Sequence, residues 1–141
     1  MSAESVALVK GLLEAGEGFD PGQKEEFLAA LPGIIEQVFD PEIEWVEAPE
    51  RIDSMTRHGH AGVLESFGNW LDQWEEYSVE VREVEDHGDR ILASGREIGR
   101  GIGSGAGVDS DIHFVFTFRD GKIVRYEEFY DEDAARGAAT T

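Results

Sequence analysis

His113 is the side chain here best suited to move a proton near neutral pH. It lies in a stretch where Ile112, Phe114, Phe116 and Phe118 alternate with His113, Val115 and Thr117. That is the period of a strand with two distinct faces. Asp120-Gly121 then supplies a tight turn, and Ile123, Val124, Tyr126, Phe129 and Tyr130 return the chain as a second strand. A two-residue loop sets His113 opposite Glu128, and a three-residue loop with a glycine bulge sets it opposite Glu127. Either register puts an imidazole and a carboxylate on one sheet face. Such a pair serves general acid–base chemistry or an ordinary cross-strand charge contact. His113 with Glu127 or Glu128 is therefore the candidate catalytic pair. Asp131, closing the strand, is a third candidate whose alternative role is to cap the C-terminal tail.

Apolar recognition would fall to Trp45, Phe67, Trp70, Trp74 and Tyr126, whose rings can wall a cavity and fix a ligand by stacking and shape. Arg96 is either a donor to an anionic substrate group or the counter-ion of one of many acids. His58, His60 and Asp53 lack a third ligand of clear spacing, so no metal site is expected. The glycine-rich run at 99–107 lacks the Lys-Ser/Thr ending of a phosphate loop and sits between strands. It suits a strand end with close backbone approach and a mobile hairpin loop. No cofactor is expected.

These residues need a scaffold. At 141 residues, 40% of them hydrophobic, the chain is long enough for one domain with a real core. Residues 1–39 read as a helical lid segment and 132–141 as a frayed tail. Val6, Val9, Leu12 and Leu13 recur at helical spacing, and Gly16 and Gly18 end that helix. Asp20-Pro21 opens a second, with Phe27, Leu28, Leu31, Ile34, Ile35 and Val38 as its apolar face and a break or kink at Leu31-Pro32. Ile43, Trp45 and Val46 form a short strand, followed by an irregular loop over 50–60. Val63, Leu64, Phe67, Trp70, Leu71 and Trp74 lie along one stripe of a helix expected over 59–77. From there to Asp131 four strands follow, the first with a phase slip near Glu83 that marks a bulge. Helices gathered before a run of hairpins define an α+β domain.

Thirty-one acids against 12 Lys and Arg give a formal charge of −19. That balance makes nucleic acid and anionic membranes poor partners, and suits solubility or a salty medium. With no cysteine, disulfides, thiolate metal sites and cysteine nucleophiles are excluded. No signal peptide or membrane span is legible, so a cytoplasmic location is expected.

Several motifs together resemble the SnoaL-like branch of the NTF2-like superfamily. They are Gly59-His60-Ala61-Gly62-Val63, residues 70–77, Arg100-Gly101-Ile102-Gly103-Ser104-Gly105, Phe118-Arg119-Asp120-Gly121-Lys122-Ile123 and Glu128-Phe129-Tyr130-Asp131. The resemblance runs from about Asp40 to the C-terminus. It implies a cone-shaped, curved antiparallel sheet wrapped around helices, a deep pocket for a small hydrophobic molecule, and a homodimer packed through the sheet. It also implies relatives that include polyketide cyclases, ketosteroid isomerases and epoxide hydrolases. In the cyclases an acid on the last strand works with a histidine on the strand before it, similar to Glu127 and His113, with Glu in place of the family's Asp. The isomerase base would fall at Ala48, before Pro49, which argues against steroid-type isomerisation. The hydrolases hold a water with an Asp-Arg-Asp set, for which Asp111, Arg96 and Asp131 have the right types. Two functions follow from different classes: a cofactor-independent cyclase or isomerase, or a non-catalytic dimer that binds a hydrophobic ligand. A third reading is a scaffold whose open sheet face is an assembly surface.

Overall fold

The computed structural model describes residues 2–15, 21–51, 54–102 and 107–140. The expectations placed on Gly16, Gly18, Asp20, Asp53 and residues 103–106 lie outside them. Two helices lead, α1 (Ser2–Ala15) and α2 (Lys24–Val38), the second running through Pro32. Strand β1 (Phe39–Val46), the short β2 (Thr56–His58) and helix α3 (Gly59–Leu71) come next. Strands β3 (Trp74–Asp86), β4 (Arg90–Gly101), β5 (Gly107–Arg119) and β6 (Lys122–Phe129) complete the sheet, and α4 (Glu132–Thr140) closes the chain.

The six strands lie in the order β2-β1-β6-β5-β4-β3. All neighbours are antiparallel except β1 and β6, which run parallel because the intervening chain returns to the far side of the hairpins. One sheet face carries Ile91, Ala93, Ile112, Phe114, Phe116, Ile123 and Tyr126, and it packs under α1, α2 and α3 through Val9, Leu31, Ile35 and Val63. The opposite face holds a smaller cluster, Leu92 and Val115 beneath Ala135 and Ala139 of α4. The expected α+β architecture is present.

Three elements differ from the sequence reading. The helix expected to reach Tyr77 ends at Leu71, where Asp72 and Gln73 make a tight turn onto the carbonyls of Gly68 and Trp70. Trp74, Tyr77 and Val79 then pair with β4, and strand pairing prevails over helical continuation. The irregular loop contains β2, which pairs with β1. The C-terminal segment expected to fray is α4. Its two buried alanines sit flat on the outer sheet face, so small residues that look featureless in sequence are what allow close approach.

The β5–β6 hairpin has a two-residue turn, the shorter of the two loops that the sequence allows, with φ of 54° at Asp120 and 80° at Gly121. An extra residue, Val124, then interrupts pairing between Phe118↔Ile123 and Thr117↔Arg125. This bulge advances β6 by one position. His113 consequently faces Phe129 across the ladder, and neither Glu127 nor Glu128. The anticipated slip in β3 is present too, between Val81 and Glu83.

Candidate active site

Between the helices and the inner sheet face lies a cavity of about 190 Å³. Leu12 and Leu13 of α1 and Phe27, Leu31 and Ile34 of α2 line one side. Phe67 and Trp70 of α3 line another, and Phe39, Trp45, Val79, Phe114, Phe116 and Tyr126 form the sheet wall. Trp45 stacks on Tyr126 with centroids 3.8 Å apart, and Phe114 lies nearly parallel to Tyr126 at 5.9 Å. The walls are therefore flat and aromatic. Arg51, Ser66, Tyr77, Tyr126 and Glu128 are the polar groups of the lining.

Glu128 owes its place to the bulge. Because Tyr126 pairs with Phe116 and Glu128 with Phe114, both β6 side chains share the inner face with those rings. Glu128 is 8% exposed. One of its oxygens accepts from the backbone N–H of Ala48 at 3.2 Å and meets Arg51 Nη1 at 3.2 Å. The other accepts the Tyr126 hydroxyl at 2.6 Å. Burial pushes the carboxyl above the usual carboxylate range; Arg51, Tyr126 and the Ala48 N–H oppose that rise without cancelling it.

Glu97 arrives from β4, whose inward phase runs Ile91, Ala93, Gly95, Glu97. It is wholly buried and accepts the hydroxyls of Tyr77 and Tyr130, each at 2.6 Å, and Arg51 Nη2 at 3.2 Å. Arg51 sits between the two carboxylates, on the loop joining β1 to β2. Its guanidinium lies 3.8 Å over the ring of Trp70, and its Nε donates to Tyr130 at 3.3 Å. Although burial works against its charge, Glu128, Tyr130 and Glu97 hold Arg51 firmly protonated. Burial, then Glu97, raises the Tyr77 phenol well above its ordinary value; burial, then Glu128, does the same for Tyr126. Both stay neutral hydrogen-bond donors. The result is an acid–arginine–acid set flanked by phenols at one end of an apolar chamber.

The residues singled out from sequence divide in two. Trp45, Phe67, Trp70 and Tyr126 line the cavity. Trp74 lies behind the lining, packed against Trp70 at 5.1 Å and Tyr77 at 5.5 Å. His113 is buried on the opposite, α4 face, with its Nδ1 2.8 Å from Ser94 Oγ. Glu127 shares that outer face, opposite Val115, and pairs with Arg125 at 3.1 Å. His113 and Glu127 are not partners, because the register sets them diagonally. Asp131 is exposed and caps α4, its carboxylate accepting the Asp133 N–H at 3.1 Å. Arg96 is 41% exposed on the outer face and forms a two-point pair with Asp109. Asp111 faces Arg82 instead, so Asp111, Arg96 and Asp131 do not converge. His60 Nε2 is 2.8 Å from the Phe39 carbonyl, a contact that pins the start of α3 to β1.

Sequence reasoning missed Arg51 and Glu97, and left Glu128 as the lesser alternative. Glu97 had a signal, an acid in the inward phase of a strand otherwise apolar or small. Arg51 had none, since its loop carries no periodicity.

The profile of the SnoaL-like domain family matches residues 27–126. This chain belongs to that family. Among curated proteins none matches it. Solved structures do. An NTF2-like protein from Burkholderia xenovorans is 24% identical, with 100% of this chain and 98% of that one covered and a TM-score of 0.71. TerC, co-crystallised with polyporic acid, is 26% identical, with 84% and 97% covered and a TM-score of 0.58. A protein with a ketosteroid isomerase-like fold from Catenulispora acidiphila, in complex with trimethylamine, is 14% identical, with 86% and 94% covered and a TM-score of 0.62.

Proposed function

We propose that this protein is an acid–base enzyme, a cyclase or isomerase, acting on a small hydrophobic carbonyl compound held in the aromatic chamber. The observation that carries the reading is Glu128: a buried carboxylate of raised proton affinity at the polar end of an otherwise apolar cavity. Two proteins of like fold are found with a small molecule, which supports reading this chain as a small-molecule binder.

Ionised Glu128 takes a proton from the carbon next to the substrate carbonyl, and the bonding pair moves onto the carbonyl oxygen as an enolate. Glu128 is then neutral, and the Tyr126 hydroxyl that was donated to it is released. Tyr126 is then the neutral phenol of the lining that can turn toward the new oxyanion, while Tyr77 stays bonded to Glu97. Arg51 stays fixed by Glu97 and Trp70 and keeps the end of the chamber from accumulating two uncompensated negative charges. Isomerisation ends with Glu128 returning its proton to another carbon of the conjugated system. Ring closure ends with the enolate carbon bonding to a second carbonyl, whose alkoxide takes the proton from Glu128.

The test is a comparison of turnover and binding in Glu128→Gln. We expect kcat to fall by about 10²–10⁴-fold, the usual worth of a positioned base, while the ligand is still bound. Turnover that survives Glu128→Gln would sink the assignment.

A further inference from the structure

The proposed reaction uses one carboxylate, yet the chamber's polar end holds two. Glu97 does not line the cavity, but it is wholly buried behind it and engages Arg51. Arg51 is the one cationic side chain among the described residues of the lining. Its Nη2 serves Glu97 and Tyr130, its Nη1 serves Glu128, its Nε serves Tyr130, and one of its faces is covered by Trp70. A carboxylate brought into this chamber would be stripped of water and would find that guanidinium already shared between two acids. An unpaired charge in such a place is strongly disfavoured.

Resting on the reading that this chamber is the ligand site, we infer that Glu97 is a specificity-determining residue that restricts the chamber to uncharged ligands by consuming the guanidinium an anionic ligand would need. The selected class is a flat, neutral aromatic or polycyclic molecule with a carbonyl or hydroxyl at one end. Its conjugate carboxylate is rejected. Removing the charge of Glu97 frees donors of Arg51 and opens the chamber to anions.

The experiment measures Kd by calorimetry for two probes of matched shape, 2-acetylnaphthalene and 2-naphthoate, at neutral pH. We expect the wild-type protein to bind the ketone at least tenfold more tightly, a lower bound on what one unpaired buried charge costs. In Glu97→Gln the preference should shrink by about tenfold or more, chiefly through tighter naphthoate binding. Equal or tighter binding of naphthoate by wild type would overturn the inference, as would an unchanged preference in a folded Glu97→Gln. The wild-type comparison stands even if that variant does not fold. Ketone binding without discrimination would refute the role of Glu97 and leave the chamber as the ligand site. Failure of wild type to bind either probe would overturn both.

Discussion

Two carboxylates, Glu97 and Glu128, share one guanidinium and yet occupy different electrostatic positions. Glu97 is behind the chamber wall and saturated by two phenols and Arg51, whereas Glu128 meets the cavity. The raised proton affinity of Glu128 fixes the sign of its pH dependence. A base works ionised, so turnover should fall as pH drops through a midpoint above the ordinary value of about 4.3 for a glutamate. Tyr126→Phe removes a donor that favours the charged form, so the midpoint should move further up; a pH–rate profile that shifts down would contradict the arrangement. His113 belongs to another part of the molecule. His113→Ala should cost about 1 kcal/mol of stability through loss of the Ser94 contact under α4, read from urea unfolding. A loss of ligand binding in that variant would mean that the two faces are coupled.

At the level of elements, two bulges set the geometry. The extra residue at Val124 brings Tyr126 and Glu128 together beside Phe116 and Phe114. The slip between Val81 and Glu83 folds β3 closely over β4, where a Cβ added at Gly95 would lie 2.3 Å from the Glu80 carbonyl oxygen. Gly95→Ala should therefore destabilise the protein by about 1–3 kcal/mol, the usual cost of overpacking. An unchanged urea midpoint would show that the strands can separate there. Much of this was legible beforehand: the alternation of β5, the Asp120-Gly121 turn, the β3 slip and four of the lining aromatics. The β6 bulge was not, because Val124 is as good a strand residue as its neighbours and only the ladder reveals that it is surplus. That single residue put Glu127 on the outer face and Glu128 in the chamber, and left His113, whose face β5 itself sets, opposite Phe129. The end of α3 was hidden for a related reason: Trp74 continues the helical stripe in sequence and still meets Trp70 in space, across a turn.

Over the whole molecule, a fold does not by itself fix a function, so function has to be argued from the chamber. The charge of −19 is a separate matter. Most ion pairs here are at least partly exposed, and the acids far outnumber the bases available to them. Salt should relieve their mutual repulsion, and the thermal midpoint should rise by several degrees between low and molar salt. A falling midpoint would show that the surface ion pairs outweigh the repulsion. No helix among the described residues is long and apolar enough to cross a membrane.

The central claim is that proton transfer from carbon occurs at Glu128, inside the chamber. Its most direct test is solvent exchange: small cyclic and aromatic ketones are incubated with the protein in D₂O, and loss of the proton signals beside the carbonyl is followed by NMR. Exchange should scale with protein concentration, persist in His113→Ala and disappear in Glu128→Gln. Exchange that persists in Glu128→Gln and vanishes in His113→Ala would place the chemistry on the other face of the sheet and contradict the claim.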